Sequence, residues 1–150
     1  MNPVFIIDTN VLVARLLTSR ADSPVARILD GMLRPSFRFA LSEALLAEYR
    51  GVLLRPKLSR LHQLAESEID TILTTLTRHA IVLPVPPQPD ALVAPDIGDQ
   101  FLWDLLTSRE DLMLVTGDTL LQQTGPLQAR VMAPLKFAGQ VLGRCLAQRR

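Results

Sequence analysis

Phe5-Ile6-Ile7-Asp8-Thr9-Asn10 is the stretch that decides the fold. With Val4 it forms an apolar run short enough to be a buried strand, and it ends in a carboxylate followed by two small polar residues. A second run, Leu112-Met113-Leu114-Val115-Thr116-Gly117-Asp118, ends in the same way. In a parallel α/β sheet the strand C-termini gather at one edge, so the two aspartates are expected to meet there. Between them in the chain lie Glu48 and Asp99, each on a segment with helical periodicity. Four carboxylates at one sheet edge repel one another unless a hard cation lies among them, and Mg²⁺ or Mn²⁺ prefers oxygen ligands of this kind.

Working outward, strand and helix signals alternate. Asn10 to Leu17 reads as a short helix. Ser23-Pro24 reads as a cap and first helical position for a helix to about Met32. Phe37 to Leu41 alternates as a strand, and Ser42 caps a helix running to about Arg55, stopped by Pro56. A helix follows from Ser67 to about His79, and Ile81 to Leu83 is a strand. Pro84 to Pro89 is an extended connector, Ile97 to about Glu110 a helix and Leu112 to Thr116 a strand. A short strand near Val131 and a helix from about Pro134 complete the order. This alternation predicts a doubly wound, three-layer α/β/α fold with a mostly parallel sheet.

The chain has 150 residues, 48% hydrophobic and 21% charged, which fits one domain spanning 1–150 with an aliphatic core. It shows no export signal and no apolar run of spanning length, so a cytoplasmic protein without a membrane partner is expected. Cys145 alone cannot form an internal disulfide, and with His62 and His79 it makes no zinc spacing. Residues 1–60 carry a charge of +4 and the remainder −3, and fourteen of the sixteen cationic residues are arginines. Arg15 and Arg50, one or two helical turns from the acids, are the candidates for contacting RNA phosphates, although solvated helix faces explain them equally well.

Helical geometry separates the acids. Taking Leu45 as zero, the apolar residues of that helix fall between roughly −20° and +100°, with Glu48 near −60° at their margin. Glu43 falls on the far side, as a first-turn charge beside Ser42. From Phe101, the apolar arc of the next acidic helix covers roughly 0° to 200° and takes in Asp99. Asp104 falls outside that arc and reads as solvated, while Asp96 reads as the helix cap; both stay as candidate extra acids. Asp8 and Asp118 could each be a cap for the following helix. Asn10 and Thr116, each two residues from an aspartate, could support a carboxylate or a metal-bound water.

Four segments in this order, Phe5 to Val13, Ser42 to Tyr49, Asp96 to Leu102 and Leu114 to Asp118, resemble the motifs of a PIN domain. The likeness covers about residues 3 to 135 and is strongest to small bacterial toxin components of toxin–antitoxin pairs. It implies a Mg²⁺- or Mn²⁺-dependent ribonuclease, with metal-site roles for Asp8, Glu48, Asp99 and Asp118 and supporting roles for Asn10 and Thr116. For the toxin members it also implies an antitoxin partner. Trp103-Asp104, where many members carry small or aliphatic residues, departs from the pattern.

Two rivals stand beside this reading: a non-catalytic module of the same fold that binds RNA or protein, and a phosphoryl-accepting receiver domain. The latter wants paired acids after the first strand, where this chain has one. The C-terminal face of Phe137, Val141, Leu142, Cys145 and Leu146 is expected to pack on its own domain, with a homodimer or an antitoxin as the other uses of that surface.

Overall fold

A computed structural model describes residues 3–85, 93–94, 97–123 and 127–143. Strand β1 (Val4–Ile7) is buried along its whole length, as expected of a strand covered on both faces. It runs into helix α1 (Thr9–Leu17) through Asp8, whose extended backbone and side chain make it the helix N-cap. Helix α2 (Pro24–Leu33) starts where the Ser-Pro signal places it, with the Ser23 hydroxyl accepting the Ala26 N–H at 3.2 Å. Strand β2 (Ala40–Leu41) leads to helix α3 (Glu43–Leu53), capped by Ser42 through the Leu45 N–H at 3.1 Å.

The structure then departs from expectation in several places. Pro56 does end the preceding helix, but it is also the first residue of a further helix, α4 (Pro56–His62), because a proline fits a first turn as well as it blocks an interior. The strand expected over Phe37 to Leu41 is shorter. Phe37 packs its ring edge-on to Phe137 and Phe5, at centroid separations of 4.9 and 6.1 Å, and takes no part in the sheet. Helix α5 (Glu66–His79) leads to strand β3 (Ile81–Val82). The helix expected from Ile97 is a 3₁₀ turn over Ile97–Asp99 followed by α6 (Gln100–Thr107). Strand β4 (Leu112–Val115), helix α7 (Thr119–Gln123), strand β5 (Val131–Met132) and helix α8 (Pro134–Phe137) follow, the last passing into a π-helical turn over Ala138–Leu142.

Strands β1, β4 and β5 form one parallel sheet and β2 and β3 another, joined by a parallel bridge between Phe5 and Phe39 and by the Phe5 N–H to the Arg38 carbonyl at 3.0 Å. The strands therefore stand in the order β3-β2-β1-β4-β5. The chain leaves β1 toward one edge and later returns to its other side, so the switch point lies at the C-terminal ends of β1 and β4, where Ile7 is in register with Val115. Helices pack around the sheet in the expected three-layer α/β/α fold: α2 contacts α1, α5 and α8, and α3 contacts α1, α5 and α6.

Trp103, at 1% exposure, fills the core beside Leu102, Leu105 and Leu106. Phe137 is also fully buried, so the described part of the C-terminal segment packs on this domain; Cys145 and Leu146 lie outside the described residues, as do Pro86 to Pro89 of the expected connector. Among the described residues no helix is long and apolar enough to cross a membrane.

Candidate functional site

Asp8 is held at the end of β1 with only 6% of its surface exposed. Its Oδ1 accepts the Thr9 N–H at 2.7 Å, and its Oδ2 accepts the Thr116 hydroxyl at 2.7 Å and the Asn10 amide at 3.3 Å. The Thr116 hydroxyl in turn accepts the Asn10 Nδ2 at 3.2 Å and the Asp118 backbone N–H at 3.1 Å. Asn10 closes the circuit by accepting the Gly117 N–H at 3.0 Å. Thr116 and Asn10 thus tie the ends of β1 and β4 together and set the position of Asp118 relative to Asp8. Gln122 of α7 braces the same turn, donating its amide to the Thr116 carbonyl at 2.7 Å.

The other two acids come from helices. The fully buried Tyr49 of α3 donates its hydroxyl to the Ile7 carbonyl, one residue before Asp8, which anchors α3 to the strand end and sets where Glu48 stands. Burial, with a contribution from the Asp8 charge, raises the Tyr49 pKa and keeps it a neutral donor. Asp99 ends the 3₁₀ turn and stands at the start of α6. Asp8, Glu48, Asp99 and Asp118 all line one cleft of about 450 Å³, together with Thr9 and Asn10. Burial pushes the Asp8 carboxyl above its ordinary value; the hydrogen bonds from Thr116 and Thr9 oppose this, and the charges of Asp118 and Glu48 add to it. Those two acids are therefore near enough to act on Asp8.

The remaining sequence candidates stand elsewhere. Asp104 accepts the Gln100 amide at 3.0 Å and does not line the cleft; Asp96 is outside the described residues. Arg15 pairs with Asp30 at 3.5 Å, and Arg50 pairs with Glu66 at 2.5 Å and Asp70 at 2.9 Å on the face toward α5. Neither arginine lines the cleft. Three features escaped the sequence reading. The Tyr49 anchor lay hidden among core residues. An apolar wall of Val13, Ala14, Leu17, Val52 and Phe101 lines the same cleft as the acids. The Thr9 hydroxyl is buried and has no hydrogen-bond partner among the described residues.

A PIN-domain family model matches residues 4–120, most of the chain. The chain belongs to the PIN-domain family. No curated protein matches it significantly. PIN domains are generally metal-dependent nucleases and typically use divalent ions. In this PIN domain the donor set suits such an ion: four carboxylates and small polar oxygens with no soft ligand, plus an orphaned Thr9 hydroxyl to serve a bound water. Among the described residues no three acidic, histidine or cysteine side chains are gathered tightly enough to chelate a metal as they stand. Mutual repulsion holds uncompensated carboxylates apart, and a cation would supply the attraction that draws them in.

Proposed function

We propose that this PIN domain is a Mg²⁺- or Mn²⁺-dependent endoribonuclease that hydrolyses RNA phosphodiester bonds, and that it acts as the toxin of a toxin–antitoxin pair. The observation that carries the nuclease reading is the opening of Asp8, Glu48, Asp99 and Asp118 onto one cleft at the switch point of the sheet. Those four residues would hold the cation, directly or through water. When bound, it supplies an activated water and neutralises charge on the phosphate and the leaving oxygen.

The chain's own groups do the positioning. The Thr9 N–H and the Thr116 hydroxyl favour the ionised form of Asp8 and fix its orientation. Asn10 and Thr116 hold the Asp118 turn against the end of β1. The unpartnered Thr9 hydroxyl is available to a water or a phosphate oxygen. Because Arg15 and Arg50 are engaged in ion pairs, contact with flanking phosphates would require them to exchange a carboxylate for a phosphate.

The toxin role rests on the resemblance of the four motif segments, and carries with it a small antitoxin partner and a cytoplasmic site of action. Purified protein incubated with a pool of single-stranded and structured RNA should cleave it in Mn²⁺ or Mg²⁺ and not in EDTA, and Asp8→Asn should be inactive. Absence of cleavage in either metal, with RNA binding retained, would overturn the enzyme in favour of a binding module. Growth arrest on expression, relieved by Asp8→Asn, is the outcome expected of a toxin.

A further inference from the structure

We infer that the apolar wall of the acid cleft, with Phe101 as its aromatic face, receives an unstacked base, so that the substrate is single-stranded RNA. The inference rests on the nuclease reading for the identity of the ligand. Helix α6 buries Leu102, Trp103, Leu105 and Leu106, but Phe101 keeps part of its surface open and lines the cleft two residues from Asp99. Val13 and Leu17 of α1 line the same cleft, and Leu17 leaves 42% of its surface exposed. The amphipathic pattern of α6 places Phe101 on its apolar arc, yet the first turn of the helix stands at the cleft, where core neighbours give out.

An open apolar wall beside four carboxylates needs an occupant that is anionic on one side and apolar on the other. A nucleotide has that character, with its phosphate toward the acids and their cation and the face of its base toward the wall. In a duplex the base faces are covered by their neighbours, whereas a single strand or loop can turn one out to stack on an aromatic ring. Charge strengthens the case. No arginine or lysine is among the described residues that line the cleft, so phosphate pairing inside it cannot supply the hold that stacking would.

The test uses the full chain with Ca²⁺ in place of Mn²⁺, and a short oligoribonucleotide carrying 2-aminopurine at successive positions, alone or annealed to its complement. The single strand is expected to bind at least about tenfold more tightly than the duplex, with the probe quenched at one position. Phe101→Leu should weaken single-strand binding by about tenfold and abolish the quenching, with little change in duplex binding; Phe101→Trp should retain both. A second aromatic variant, Phe101→Tyr, covers the case in which Phe101→Leu fails to fold, and it too should retain binding.

Equal binding of single strand and duplex, or a Phe101→Leu protein that binds like the parent, overturns the inference. If metal-dependent cleavage persists in that case, the nuclease reading stands alone and the wall is left as a protein contact. Conversely, quenching that depends on Phe101 in a protein that cleaves no RNA in Mg²⁺ or Mn²⁺ supports the base seat and sinks the enzyme.

Discussion

Replacing Asp8 with asparagine is expected to make the metal-free protein more stable while removing its proposed chemistry. The Asp8 carboxyl is 6% exposed and its pKa lies above the ordinary 3.8, chiefly because burial penalises the charge and secondarily because Asp118 and Glu48 repel it. Desolvating an ion costs several kcal/mol, and the donors on its oxygens return part of that cost. Exchanging the charge-assisted bond from Thr116 for a neutral one loses about 1 kcal/mol. The net gain of Asp8→Asn should be about 1 kcal/mol, or roughly 2–4 °C in Tm for a chain of this size.

The sign with pH follows from the same shift. A carboxyl whose folded pKa is raised keeps its proton longer in the native state than in the unfolded one, so its cost is absent below the unfolded pKa and grows as pH rises through the folded value. The advantage of Asp8→Asn should therefore vanish below about pH 4 and be full at neutrality. Adding Mn²⁺ reverses the order, because a ligand that binds only the native state stabilises it by about 2.7 kcal/mol at a hundred times its Kd. Thermal unfolding by circular dichroism, with EDTA or Mn²⁺ at several pH values, reads all of this. A variant less stable than the parent in EDTA at pH 7, or one that gains as much from Mn²⁺, would refute the reasoning.

Tyr49→Phe should cost about 1–2 kcal/mol in urea unfolding and lower the cleavage rate, because the Ile7 carbonyl loses the donor that ties α3 to the end of β1. Arg130→Met should cost about 2–3 kcal/mol by the same measurement, since this partly buried guanidinium donates to the carbonyls of Leu106, Arg109 and Leu112 and binds the end of α6 to β4. Arg50→Ala should cost less than about 1 kcal/mol, a cost that disappears in high salt, and should leave RNA affinity unchanged, because its exposed pairs with Glu66 and Asp70 lie outside the cleft.

Local signals carried the fold where a cap or an apolar run acts on its own neighbours. Ser23-Pro24 and Ser42 start helices because a hydroxyl and a fixed φ need nothing distant. Asp8 and Asp118 come to one edge because parallel strands present their C-termini together. Phe37 misled because its partner rings, Phe5 and Phe137, come from distant parts of the chain. Pro56 misled because one residue can end a helix and begin the next. The helical wheel took Asp99 and Phe101 as members of one long helix. Asp99 in fact ends a 3₁₀ turn, and Phe101 divides its surface between the core and the cleft, which depends on where the helix ends relative to the sheet. The Asp104 wheel position agrees with its place outside the cleft. No sequence signal could find the Tyr49 hydroxyl's partner, since an aromatic residue on an apolar face reads as core.

The most direct test of the metal centre is anomalous diffraction from crystals soaked in Mn²⁺. The account predicts a Mn²⁺ peak in the cleft, with at least two of the carboxylates of Asp8, Glu48, Asp99 and Asp118 coordinating it at roughly 2.0–2.3 Å. An empty cleft at saturating Mn²⁺, or a peak bound only to other residues, would contradict it.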